Sequence, residues 1–217
     1  MTLQPQRLRI VNTNDSDFPA IFNFGDSNTD TCGTFHRLPL PNGDTYLHKP
    51  SGRYSDGLVV LDFLAEKLGL PFLSAYLNSM GTNFRYGANF ATGGSTIQPL
   101  DARIFEGGFS PISLDIKFLQ FEQFKARTEE LYIEDVIRID CEYSRKITGS
   151  AVLRNRFPQL LHRLTEEQLK VSVSGIIYRL VQAVETLYQH GARAFWIHNT
   201  GPIRCLPYSI IYYPPKH

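Results

Sequence analysis

The chain has 217 residues, a net charge of +1, and 42% hydrophobic against 20% charged residues. That length suits one ordinary domain with a real core, and the near-neutral charge gives no electrostatic case for nucleic acid or an anionic membrane as partner. No apolar run of about eighteen residues occurs, so no membrane-spanning helix and no stable membrane insertion are expected.

Residues 1–17 read as a loose polar leader without the apolar stretch of a secretory signal peptide. Within it, Asn14-Asp15-Ser16 fits a glycosylation acceptor that matters only if the chain is exported. Cys32, Cys141 and Cys205 are odd in number and lack metal-ligand spacing, so they support neither a disulfide framework nor a zinc site.

The first element is the apolar run PAIFNF over residues 19–24, bounded by Pro19 and Gly25, which predicts a buried strand. SGRYSDG is a turn-rich loop in which Ser55 or Asp56 is placed to cap a helix. Leu58, Leu61, Leu64, Ala65 and Leu68 then recur at helical spacing up to a stop at Gly69. GANFATGGSTI is too poor in apolar periodicity for a helix and reads as a strand feeding a tight loop. Leu114, Phe118, Phe121 and Phe124 or Lys125 predict a second helix.

From Tyr132 to His162 neither period is sustained, and the stretch reads as aperiodic and basic. Order returns at Thr165-Glu166-Glu167-Gln168, a capping-box pattern. Behind it Leu169, Val173, Ile176, Leu180, Val184 and Leu187 mark one helical stripe that ends at Gly191. ARAFWIHNTGP predicts another buried strand. The alternation of strands and helices argues an α/β fold with a largely parallel sheet, whose ligand crevice lies beyond the carboxyl ends of the strands. The ends after Phe24, Ala91 and Ile197 should therefore share one edge.

The stretch FPAIFNFGDSNTDTCG breaks off from its apolar run at Gly-Asp-Ser-Asn. A serine after a strand is more often a helix cap than a nucleophile. Here Ser27 is expected at a strand-to-helix turn, where N–H groups near a helix N-terminus would stabilise an oxyanion formed on an attacked ester carbonyl. The Gly-x-Ser-x-Gly signature of other hydrolases is absent. Asp26 is expected to brace the loop rather than act as a base, because neighbouring side chains at a strand end diverge.

Four blocks in order, FPAIFNFGDSNTDTCGTF, RYSDGLVVLDFLAEKLGLP, FRYGANFATGGSTI and FWIHNTGPIRCLP, resemble the plant GDSL esterase/lipase family, a branch of the SGNH hydrolases. The likeness covers residues 18–130 and 164–215. It implies a flavodoxin-like three-layer α/β/α sandwich with a parallel sheet, a single domain over residues 18–217 that is C-terminally incomplete. It also implies hydrolysis of small-molecule or polysaccharide acyl esters through an acyl-enzyme, and secretion. By the same resemblance Ser27 is the nucleophile and its N–H one oxyanion donor. Gly94 best matches the glycine that gives the second N–H, with Gly93 one position away; a turn needing positive φ is the plainer reading of both. No Gly-x-Gly-x-x-Gly or phosphate-binding Gly-Lys-Ser/Thr occurs, no metal-ligand cluster appears, and no cofactor is implied.

The likeness also breaks. The family's Gly-x-Asn-Asp block should lie between residues 130 and 165, where no Gly-x-Asn occurs and Asn155 has no glycine before it. A deleted or misread coding segment explains this best, with a lineage-specific loop as the alternative. The family's last block, Asp-x-x-His, occurs nowhere in the sequence, which stops at His217. His198 belongs to the scaffold in that family, and His36, His48, His162, His190 and His217 read as loop or surface residues.

Loss of the histidine costs a serine hydrolase on the order of a millionfold in turnover. Loss of one oxyanion donor costs about a hundred- to a thousandfold. The chain as written is therefore expected to be an impaired esterase, poorly soluble through an exposed apolar patch or sheet edge. The alternatives are a non-catalytic acyl- or glycan-binding scaffold and a truncated product without function.

Overall fold

The computed structural model describes residues 20–33, 38–78, 80–99, 110–133, 147–152, 166–198 and 211. Four strands, β1 (Ile21–Asn23), β2 (Gly87–Asn89), β3 (Ile147–Val152) and β4 (Ala192–His198), form one sheet in the order β2-β1-β3-β4. Every pairing is parallel, so the carboxyl ends of all four lie on one edge, as the alternation of elements implies.

Successive side chains of a strand face opposite ways, and β1 uses both faces. Ile21 packs with Val59, Leu61, Ala65 and Leu73, the cluster covered by helix α2 (Val60–Lys67). Phe22 and Phe24 pack on the other face with Phe90, Leu114, Phe121 and Leu187. That face is covered by helices α3 (Leu114–Ile133) and α4 (Glu166–Gln189). A one-turn helix, α1 (Asp44–Leu47), precedes α2. The molecule is an α/β fold with helices on both faces of a parallel sheet.

The aromatic layer fixes α3 against the strand that carries the Gly-Asp-Ser stretch. Phe24 stacks on Phe90 at 5.3 Å and on Phe118 at 5.1 Å, and meets Phe121 edge-on at 5.6 Å. Burying each such ring stabilises the fold by about 1.5–3 kcal/mol.

Four expectations need correction, the last of them at β4. The stretch from Tyr132 to His162 is not wholly irregular: Ile147–Val152 form β3, an interior strand between β1 and β4. Ser27 does not stand at a helix N-terminus, because residues 27–29 form a turn and residues 30–33 are not helical. Neither Ser55 nor Asp56 caps α2. The Ser55 hydroxyl accepts the Gly57 N–H at 3.1 Å, Asp56 accepts the Thr45 hydroxyl at 2.9 Å, and the side chain of Asp62 instead takes the Val59 N–H at 2.9 Å. Asp62 is also held by a two-pronged bond from Arg53, both contacts at 2.7 Å, and both residues are buried. That pair ties the SGRYSDG loop to the first turn of α2.

The strand over ARAFWIH, expected to be buried, is largely exposed: β4 is the last strand in the sheet order, and Trp196 and Ile197 on it are each 49% exposed. Val171, Ile177 and Tyr178 of α4 are exposed as well. Residues 1–17, Asn155, Cys141, Cys205, His36, His162, Thr165 and His217 lie outside the described residues.

Candidate active site

β1 runs out at Asn23 and the chain turns through Phe24, Gly25, Asp26 and Ser27. The turn is closed by the Thr29 N–H donating to the Asp26 carbonyl at 3.1 Å and the Asn28 N–H donating to Asp26 Oδ1 at 3.0 Å. Asp26 thus braces the loop with its own side chain, an Asx arrangement. Asp26, Thr29 and Asp30 are buried, whereas Ser27 and Asn28 between them are partly exposed.

The neighbouring strand β2 feeds a second turn. The Ser95 N–H donates to the Thr92 carbonyl at 3.1 Å, which makes Gly93 and Gly94 its central residues. Gly94 has φ +77°, the conformation that the third position of a type II turn requires. Gly93 is needed for another reason: a Cβ there would collide with the hydroxyl of Tyr54.

The two turns are bonded into one unit. Gly25 accepts the Thr92 N–H at 3.4 Å, and Asp30 Oδ2 accepts the Gly93 N–H at 2.7 Å. Asp30 Oδ1 takes the Gly33 and Cys32 N–H groups at 2.6 and 3.0 Å. Below them Asn23 and Asn89, in register on adjacent strands, meet at 2.6 Å. Asn89 Nδ2 also donates to the Thr29 carbonyl at 2.7 Å and the Thr31 hydroxyl at 2.9 Å. Apart from the partly exposed Cys32, every member of this network is buried, so these bonds replace water that the site has excluded.

One cation enters from the other face of the sheet. Lys117, on the first turn of α3, is 1% exposed, and its ammonium donates to the Gly25 carbonyl. Burial pulls its pKa down to about 7, against the opposing pull of the Asp26 and Asp30 carboxylates.

Ser27 and Gly94 therefore stand on adjoining, bonded loops at the carboxyl ends of β1 and β2. The Gly93 N–H is taken up by Asp30. His198 is exposed at the end of β4, and His190 pairs with Glu122 at 3.6 Å. Among the described residues no group of three or more His, Cys, Asp and Glu side chains could hold a metal ion. No helix among them is long and apolar enough to cross a membrane.

Sequence reasoning missed Asp30, the Asn23–Asn89 pair and Lys117. A signal existed for two of these. Asn23 interrupts an otherwise apolar strand, and Lys117 falls at the i+3 position of the Leu114, Phe118, Phe121 stripe, where a buried helix face expects an apolar residue. Asp30 bonds the nearby Cys32 and Gly33 N–H groups, but its link to the Gly93 N–H comes from a loop 63 residues away and carried no pattern in the sequence.

Comparison with known proteins bears on this arrangement. The family model for the GDSL-like lipase/acylhydrolase domain matches residues 21–216. A GDSL esterase/lipase of Arabidopsis thaliana is 46% identical over 205 residues, covering 90% of this chain and 53% of that protein. A GDSL esterase/lipase of Zea mays is 44% identical, covering 92% of this chain and 53% of that protein. An Arabidopsis thaliana protein named alpha-L-fucosidase 3 is 43% identical, with 92% and 56% covered. The chain spans about half the length of these relatives. With Ser27 on a strand-end turn, a glycine turn bonded beside it and a family match running nearly from end to end, this chain belongs to the GDSL-like lipase/acylhydrolase family.

Proposed function

We propose that the chain carries the nucleophile half of a serine ester hydrolase. In this reading the Ser27 hydroxyl attacks the carbonyl carbon of an acyl ester. The resulting oxyanion is received by the N–H groups of Ser27 and Gly94, and collapse expels the alcohol and leaves an acyl-Ser27 that water later cleaves. The observation that carries it is the bonding of the two turns: Asp30 occupies the Gly93 N–H, which leaves Gly94 as the glycine whose amide is assigned to the oxyanion. With no helix starting at Ser27, stabilisation of the oxyanion would come from fixed loop amides alone.

A serine hydroxyl needs a base in hydrogen-bond reach. The resemblance assigns that role to an Asp-x-x-His motif, which the 217 residues do not contain. The chain by itself is accordingly proposed to acylate slowly and to turn over poorly. Its substrate class is acyl esters of small molecules or polysaccharides, and secretion is proposed on family grounds.

The fucosidase name of one relative raises glycoside hydrolysis as a second reading. That chemistry uses a pair of carboxylates free to face the sugar. Asp26 and Asp30, the acids nearest Ser27 in sequence, are buried and accept loop N–H groups, which favours the ester reading.

The test is acyl trapping. Incubated with p-nitrophenyl acetate, the chain should gain one acetyl group that peptide mapping assigns to Ser27. Acetylation spread over surface lysines with Ser27 untouched would contradict the reading, and saturable binding of an acylated sugar without acylation would favour a non-catalytic scaffold.

A further inference from the structure

Lys117 is an expensive choice for its position. A leucine there would continue the Leu114, Phe118, Phe121 face with no charge to desolvate, yet the chain buries an ammonium group almost completely. Its surroundings explain what it gains. The ammonium bonds the Gly25 carbonyl, two residues before Ser27, which also accepts the Thr92 N–H of the glycine turn. The carboxylates that act on it, Asp26 and Asp30, are the two side chains that shape the Ser27 loop. Phe118 and Phe121, on the same helix, pack on Phe24, so the backbone leaving β1 is gripped by α3 at consecutive residues.

We propose that Lys117 is a positioning residue for Ser27: its ammonium fixes the Gly25 carbonyl and balances the Asp26 and Asp30 carboxylates, which hold the Ser27 turn and the Gly94 turn in one arrangement. The part of this that concerns catalysis rests on the ester hydrolase reading; the part that concerns the loop does not. The depressed pKa of Lys117 fits the geometry, since burial disfavours the charge while the two carboxylates favour it, which keeps the ammonium form below about pH 7. Lys117 does not reach the substrate in this scheme. It acts through the backbone of Gly25 and the loop that Asp26 and Asp30 organise.

The experiment compares Lys117→Met, Lys117→Gln and Ser27→Ala with their wild-type parent, by amide hydrogen exchange in the 217-residue chain and by hydrolysis of p-nitrophenyl acetate in the chain extended into the relatives' second half to include an Asp-x-x-His motif. Lys117→Met should speed exchange at the Cys32, Gly33 and Gly93 amides about tenfold or more, the scale of one lost charge-assisted hydrogen bond. Amides of α2, on the opposite face of the sheet, should keep wild-type protection. In the same variant kcat should fall about a hundredfold, the cost of a small misplacement of a reacting group, with KM unchanged within about twofold. Lys117→Gln, which keeps a donor for the Gly25 carbonyl, should recover part of both effects. Unchanged exchange in the two loops would overturn the proposal, and so would an equal rise across α2, which marks a general loss of stability. If Ser27→Ala hydrolyses the ester as fast as wild type, the hydrolase reading fails, and the exchange data alone decide the role of Lys117.

Discussion

Asp30 Oδ2 accepts the Gly93 N–H at 2.7 Å, joining the loop after β1 to the turn after β2. The same carboxylate takes the Gly33 and Cys32 N–H groups through its other oxygen, and the residue is fully buried. Asp30→Ala would leave three loop amides without this acceptor. Each buried donor left unsatisfied costs about 1–3 kcal/mol. The denaturation midpoint should therefore fall by the equivalent of about 3 kcal/mol or more, with the m-value unchanged. A midpoint that stays at the wild-type value would mean that Asp30 does not tie the two loops.

Asn23 and Asn89 form the buried support beneath those loops, 2.6 Å apart on paired strands. Alanine at either position removes the partner of the other, so the two substitutions should not add. A double-mutant cycle should return a coupling of about 0.5–3 kcal/mol. Strict additivity would place the two amides in separate roles.

Some of this architecture was readable in advance, and the reasons differ by element. α2 and α3 were legible because each buries one stripe against the sheet, and the apolar residues at three-to-four spacing record that burial; α4 was legible by the same spacing, although Leu187 of its stripe is buried while Val173 is exposed. β1 and β4 were legible as apolar runs that stop at turn residues. β3 was not, because ITGSAV is half small and polar residues, and its place is set by the strands on either side rather than by a pattern of its own. The adjoining loops that carry Ser27 and Gly94 were legible through the four matching blocks. The helix expected after Ser27 was wrong, because the amides there are satisfied by the side chains of Asp26 and Asp30 instead of a helical turn. Such side-chain bonds to nearby amides leave no periodic trace.

Lys117 should make stability depend on pH. Its pKa is about 7 in the folded chain against 10.5 for an ordinary lysine, so between those values the unfolded chain binds more protons than the folded one. Stability must then rise with pH across that window. The cost of burying the charge is fully present below pH 7 and is relieved as pH climbs toward 10.5, a change of about 5 kcal/mol at most for a shift of this size. Measured as denaturation midpoints from pH 6 to 10, the rise should appear in the wild type and vanish in Lys117→Met. Parallel curves for the two proteins would show that Lys117 keeps an ordinary pKa.

The Arg53–Asp62 pair predicts a contrast between breaking and replacing. Asp62→Ala strands a buried guanidinium and should cost about 3–5 kcal/mol. The double change Arg53→Met with Asp62→Leu should recover most of that loss, because no charge is then left unpaired. Equal destabilisation in the single and double variants would instead assign the effect to the Val59 N–H, which Asp62 also accepts.

The central claim, that Ser27 is a nucleophile held beside the Gly94 amide, is tested most directly by turnover of a short acyl ester in a chain extended into the relatives' second half to include an Asp-x-x-His motif. There Ser27→Ala should reduce kcat on the order of a millionfold, the scale for removing the nucleophile of a serine hydrolase. A Ser27→Ala protein that hydrolyses the ester at the rate of its parent would contradict the account.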